Sequence, residues 1–231
     1  MNINYLEVIV AAVILMAAVH GYKKGFLRLA VSIAGLIAIV AIVVRIAPIV
    51  SEYIINNEKI YDMVREKTID IFSDEVAKDI DISDIKSQTE AIEALKLPDV
   101  LTGALIKNNN QDMYDSLAVS LFKDYLAGYL SRIMIKGAVF VILFLVFAAV
   151  MMVLFTATNI LSKIPVFKTL NKLTGLVAGG SLGVFAVWIA FLVILVFGSN
   201  SLLPKILPDI NSSILLTELF NRNILLGLLL R

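Results

Sequence analysis

Cysteine is absent from all 231 residues, so the chain has no disulfide, no thiolate nucleophile and no cysteine metal site. Histidine occurs once, at His20, with no carboxylate four residues away and no His-Glu-x-x-His pattern, which argues against a hydrolytic metal centre. Acidic side chains are missing from Ile133 to Pro204, a stretch that carries four lysines. Charge of either sign is missing from Leu173 to Phe197. No basic face of any size exists, and the formal net charge is only +1, so nucleic-acid binding is disfavoured.

What is present is apolar. Hydrophobic residues make up 59% of the chain and charged residues 17%, far from the balance of a soluble domain. The mean hydropathy of +0.90 identifies an integral membrane protein. The near-neutral total conceals a segregation. Residues 51–132 hold sixteen acids and nine bases, a net of −7, against +8 for the rest.

The longest charge-free run organises the reading. Twenty-five residues from Leu173 to Phe197 extend roughly 37 Å at the helical rise, enough to cross a bilayer core of about 30 Å with some tilt. Three glycines stand four apart at its start: Gly175, Gly179 and Gly183. Residues four apart share a helix face, so these make a groove without side chains where another backbone approaches closely. The partner is either another helix of the same chain or a second copy, and the second case would let the glycine face line a homo-oligomeric pore.

Three further runs read as spans. Ile3 to Tyr22 gives a first helix, with Glu7 and His20 near its ends. It lacks the basic leading region of a signal peptide; its positive charges follow the apolar run instead. Leu29 to Val44 gives a second helix, after which Arg45 snorkels to the interface and Pro48 bends or ends the span. Gly137 to Leu161 gives a third. The expected fold is all-α and polytopic, with about four transmembrane helices in two hairpins plus amphipathic helices. Residues 1–50 form the first hairpin. Residues 51–132 are an acidic amphipathic segment, broken at Ser83, Pro98 and Asn108–Asn110. Residues 133–200 form the second hairpin. Residues 201–231, whose apolar pieces are too short to span, form an interfacial tail.

The short turn after helix 1 carries Lys23, Lys24 and Arg28, and the turn after helix 3 carries Lys163, Lys168 and Lys172. Neither turn holds an acid. The positive-inside bias places both in the cytoplasm, with the termini and the acidic segment outside. Anionic headgroups are the alternative use of these lysines.

No catalytic constellation stands out. Glu7 and His20 are thirteen residues apart, about 220° around a helix, so they sit on roughly opposite faces and form no acid–base pair. Trp188 lies mid-span and reads as packing. No cofactor and no metal is expected, the chain reads as non-enzymatic, and its evident partner is the bilayer.

Two stretches resemble one family. Gly21-Tyr-Lys-Lys-Gly-Phe-Leu-Arg28 after an N-terminal span, and Ile164-Pro-Val-Phe-Lys-Thr-Leu-Asn-Lys-Leu-Thr-Gly175 before a glycine-rich span, resemble the signatures of the colicin V production protein family. The resemblance covers roughly residues 5–50 and 135–198. It implies a bacterial inner-membrane protein with about four spans, linked to export of a peptide toxin and to envelope homeostasis, with secretion or envelope proteins as partners. It carries over no catalytic residues.

Because the chain is naturally free of cysteine, an Asp81→Cys variant reports topology directly. The expected outcome is modification by an impermeant thiol reagent from outside the cell; labelling from the cytoplasmic side alone reverses the orientation.

Overall fold

A computed structural model describes residues 4–76, 80, 84–158, 169–198 and 202–230. The described residues form eleven helices and no strand: α1 (Tyr5–Lys24), α2 (Phe26–Ile55), α3 (Glu58–Val76), α4 (Ile85–Ala94), α5 (Asp99–Asn108), α6 (Gln111–Leu117), α7 (Phe122–Thr158), α8 (Thr169–Phe197), α9 (Leu203–Asn211), α10 (Ile214–Asn221) and α11 (Ile224–Leu229). Four of them, α1, α2, α7 and α8, are long and apolar enough to cross a membrane. The all-α, four-span expectation holds. The break at Ser83, and the turn bearing Lys163 and Lys168, lie outside the described residues.

The four long helices alternate in direction. Gly183 lies against Ile14, and Gly175 against Gly21 and Gly25, so α1 and α8 run antiparallel. Gly137 faces Val196 while the Phe144 ring lies 5.7 Å from that of Phe185, which makes α7 antiparallel to α8. Gly35 meets Met151 and Phe155, and Ala47 shares a crevice with Lys136 and Phe140, so α2 is antiparallel to α7. The link at Gly25, the end of α7 and the start of α8 therefore lie at one end of the bundle. Helices α3–α6 and α9–α11 gather at the other.

Two boundaries differ from the sequence reading. Helix α2 runs through Pro48 to Ile55, so of the two outcomes expected at the proline, a bend or an end, the helix does not end there. Proline removes one amide donor and crowds the preceding turn, but a long helix tolerates that where its neighbours hold it. Helix α7 begins at Phe122, eleven residues before the expected hairpin boundary at 133. Its 37 residues extend roughly 55 Å, well beyond a bilayer core of about 30 Å. The charges in its first third do not stop it because they find partners: Asp124 pairs with Arg65 of α3, and Arg132 donates to the Ser116 carbonyl at 2.7 Å.

That first third of α7 is the core of a helical cap. Tyr125, Leu126, Ala127 and Leu130 are buried under α3–α6 with Leu101, Leu105, Ile92 and Tyr114. Tyr125 stacks on Tyr114 with ring centroids 5.1 Å apart and donates its hydroxyl to the Leu105 carbonyl at 2.5 Å. Thr68 and Ser131, both buried, bond to each other across α3 and α7 at 3.1 Å. The asparagine run expected to break the helices does more than break them. Asn108 donates to the Tyr129 hydroxyl at 2.9 Å, Asn109 donates to Gln88 at 2.6 Å and accepts from Tyr114 at 3.1 Å, and Asn110 caps α6. The short helices thus bury their apolar faces on α7 and on each other.

The tail also packs on protein. Leu216 is 0% exposed and Phe220 2%, with the Phe220 ring 5.3 Å from that of Phe191 in α8. Trp188 donates its indole N–H to the Leu219 carbonyl at 2.9 Å, and Asn223 returns a bond to the Trp188 carbonyl at 3.1 Å. At the far edge Asn4 donates to the Asp209 carbonyl and the Ser212 hydroxyl, tying the start of α1 to α9. A tail laid only on the bilayer would leave these positions facing lipid.

Phe220→Ala is expected to destabilise the detergent-solubilised protein by about 3–5 kcal/mol through the cavity it leaves, whereas Ile214→Ala, at 87% exposed, leaves Tm nearly unchanged. Equal small effects at both positions would mean that the tail does not pack on α8.

Candidate functional site

The two stretches that carry the family resemblance meet in space. Their contact begins at Gly25, the single residue joining α1 to α2, with φ +78°. A side chain is strained in that region, and a Cβ there would also run into the Asn171 side chain, whose Cγ is 3.1 Å from its position. Asn171, in the first turn of α8, accepts from the amide of Leu27 at 3.0 Å. A helix start leaves its first amides without partners, and here a distant asparagine supplies one for α2. Next to it the Lys172 amine lies over the Tyr22 ring, 5.9 Å from the centroid.

From this clasp a seam of small residues runs along α1 and α8. A Cβ on Gly21 would collide with the Gly175 carbonyl and come within 2.8 Å of the Gly179 Cα. One on Gly175 would stand 3.0 Å from the Gly25 Cα, one on Gly179 2.9 Å from the Gly21 Cα, and one on Gly183 2.9 Å from both the Ile14 Cα and the Ala17 Cβ. Gly175, Gly179 and Gly183 therefore do pack a helix closely, and that helix is α1 of the same chain. Gly21 lies in the last turns of α1, within the seam. With α1 seated, the glycine face has no room for a second copy.

The basic residues gather at the same end. Lys23 and Lys24 close α1 and are exposed, Arg28 is half-buried in the first turns of α2, and Lys172 is exposed at the start of α8. Lys163 and Lys168 lie outside the described residues. His20 is exposed and Glu7 half-buried, at opposite ends of α1.

The opposite end carries polar residues that the sequence pass did not single out. Asp124, Gly128, Arg132 and Lys136 are four apart and share one face of α7. Arg65 pairs with Asp124, Tyr61 packs over Gly128 beside Arg132, and Glu52 of α2 shares a crevice with Lys136. Burial pushes the Tyr61 phenol up, and Arg132 and Arg65 pull it part of the way back. The buried Nε of Arg132 has no hydrogen-bond partner among the described residues. Four-residue spacing was the available signal for this row; the partners on α2 and α3 are too distant in sequence to have one. Between the two ends, Ser32, Gly35, Phe144, Met151, Phe155 and Leu182 line an apolar cleft of about 580 Å³ between α2, α7 and α8.

No protein-family model, no curated protein and no solved structure matches the chain.

The seam separates two neighbouring glycines. Gly179→Ala is expected to lower stability by about 1–3 kcal/mol through overpacking. Gly180→Ala, whose added Cβ would meet nothing nearer than the Ala18 Cβ at 3.8 Å, is expected to be neutral or stabilising by up to about 1 kcal/mol through helix propensity. Thermal unfolding of both variants in detergent checks the pair; equal responses would place the seam elsewhere.

Proposed function

We propose that this chain is a non-enzymatic protein of the bacterial inner membrane that works through protein contact. Its setting is the one implied by its resemblance to the colicin V production protein family: export of a peptide toxin, or upkeep of the cell envelope. The observation that carries this reading is the use to which the two resembling stretches are put. Gly21, Gly25, Asn171 and Gly175 hold helices together at one end of the bundle, so the residues behind the resemblance build an architecture. What the architecture presents is the cap. Its α3 turns Met63 outward, 61% exposed, beside the exposed acids Asp62, Glu66 and Asp70. A face that mixes an exposed apolar anchor with charge suits a protein partner.

The pore alternative drew on the glycine face, which α1 covers in this chain. It also loses its natural test. Gly179→Leu would push a side chain into the Ala17 carbonyl and the Gly21 backbone, so its effect on any current would report the seam and not a channel lining.

A strain lacking the gene is expected to secrete less of a co-produced peptide toxin, or to become more sensitive to detergent. The wild-type chain restores both, and a Met63→Lys, Glu66→Lys variant with unchanged membrane level and Tm does not. Reproducible unitary currents from the purified wild-type protein in a planar bilayer would overturn the contact reading.

A further inference from the structure

At the level where α7 enters its apolar stretch, a crevice of about 260 Å³ opens between α2, α7 and α11. Val44, Ala47, Pro48 and Phe140 form its apolar wall, and Leu228 and Leu229 of α11 close one side. Three polar residues also line it: the buried Ser51, the half-buried Lys136 and, at its exposed rim, Glu52. Ser51 is satisfied by the Pro48 carbonyl at 3.0 Å. The two charges are not bonded to each other. Among the described residues the ion pairs are Arg65–Asp124, Lys86–Glu90 and Arg222–Glu218, and neither Glu52 nor Lys136 is in one.

Unlike charges that share a small crevice and stay apart are complementary to a ligand that carries both signs. A simple anion would be drawn by Lys136 and repelled by Glu52, and a simple cation the reverse. The depth of the crevice selects the class. Lys136 immediately precedes the charge-free run that α7 carries from Gly137 to its end at Thr158, which extends roughly 33 Å and so suffices to cross a bilayer core of about 30 Å. Glu52 stands one turn beyond Pro48 in α2. Both charges therefore lie at headgroup level, with the apolar wall continuing toward the acyl region.

We propose that this crevice binds the headgroup of one aminophospholipid of the phosphatidylethanolamine type, with its phosphate on Lys136 and its ammonium on Glu52. A primary ammonium donates hydrogen bonds to a carboxylate, which the methylated ammonium of a choline headgroup cannot do, so the crevice distinguishes the two zwitterions. A glycerol headgroup keeps the phosphate contact and meets Glu52 with no positive charge.

The test uses the full-length protein in phosphatidylcholine nanodiscs doped with phosphatidylethanolamine or phosphatidylglycerol, with retained lipid read by native mass spectrometry. Phosphatidylethanolamine is expected to be retained over both other lipids by roughly fivefold, the scale of one partly exposed ion pair. Glu52→Gln removes its preference over phosphatidylglycerol. Lys136→Met removes retention of both doped lipids, Lys136→Arg restores it, and Lys205→Met, an exposed lysine elsewhere in the tail, changes nothing. Equal retention of the three lipids by the wild-type protein overturns the assignment. So does a preference that survives in Glu52→Gln and Lys136→Met variants whose thermal unfolding matches the wild type.

Discussion

The close approach of two backbones, α1 against α8, is the constraint on which the bundle depends. In lipid there is no hydrophobic drive to bring helices together, because acyl chains are as apolar as leucine. What remains is contact at short range, and contact improves as side chains are removed from the interface. Gly175, Gly179 and Gly183 of α8 meet Ile14, Ala17 and Gly21 of α1 and the linking Gly25, so neither partner holds the other away. The one-residue link at Gly25 then fixes where α2 must start, and Asn171 secures that start from across the seam. One interface thus positions three of the four long helices.

The fourth, α7, does different work. It is continuous from the cap into the bundle, and its first third is coated by protein where the rest faces α2, α8 and lipid. The same helix therefore serves as the core of the cap and as one of the four helices long and apolar enough to cross a membrane. A change from charged to charge-free sequence along it occurs at Lys136 without any break in the backbone. Cap and bundle are joined by a rod and not by a linker, and the tail reinforces the joint: Trp188, Phe191 and Asn223 lock α8 to α10 and α11.

Much of this was legible in the residues. Long apolar runs with few charges announce spans because a charge in hydrocarbon is costly, and all four appear where those runs lie. The glycine period announced a close-packed face. Its partner stayed hidden because periodicity identifies a face and says nothing of what lies opposite. The matching row at Ala17, Gly21 and Gly25 was in plain view, but Gly-Tyr-Lys-Lys-Gly has the composition of a turn, which hides the period. The tail misled for a related reason. Leu216 and Phe220, four apart, make an apolar stripe that suits a lipid surface and a groove between helices equally well. Only the third dimension separates the two. Glu52 and Lys136 are 84 residues apart, and no spacing rule reaches that far.

The two ends of the bundle differ in what their polar residues are asked to do. At the clasp, Asn171 satisfies the start of α2 and the exposed Lys172 rests on Tyr22, so both side chains are used within the fold. At the cap end the row on α7 begins in the same way, with Asp124 paired to Arg65 and Arg132 bonded to Ser116, and then changes at its last member. Lys136 stands opposite a carboxylate with which it forms no ion pair, beside a crevice with apolar walls. The row thus ends, where the charge-free part of α7 begins, on a lysine that lines an apolar-walled crevice. The natural complement of that last position is the molecule that surrounds the protein at that depth.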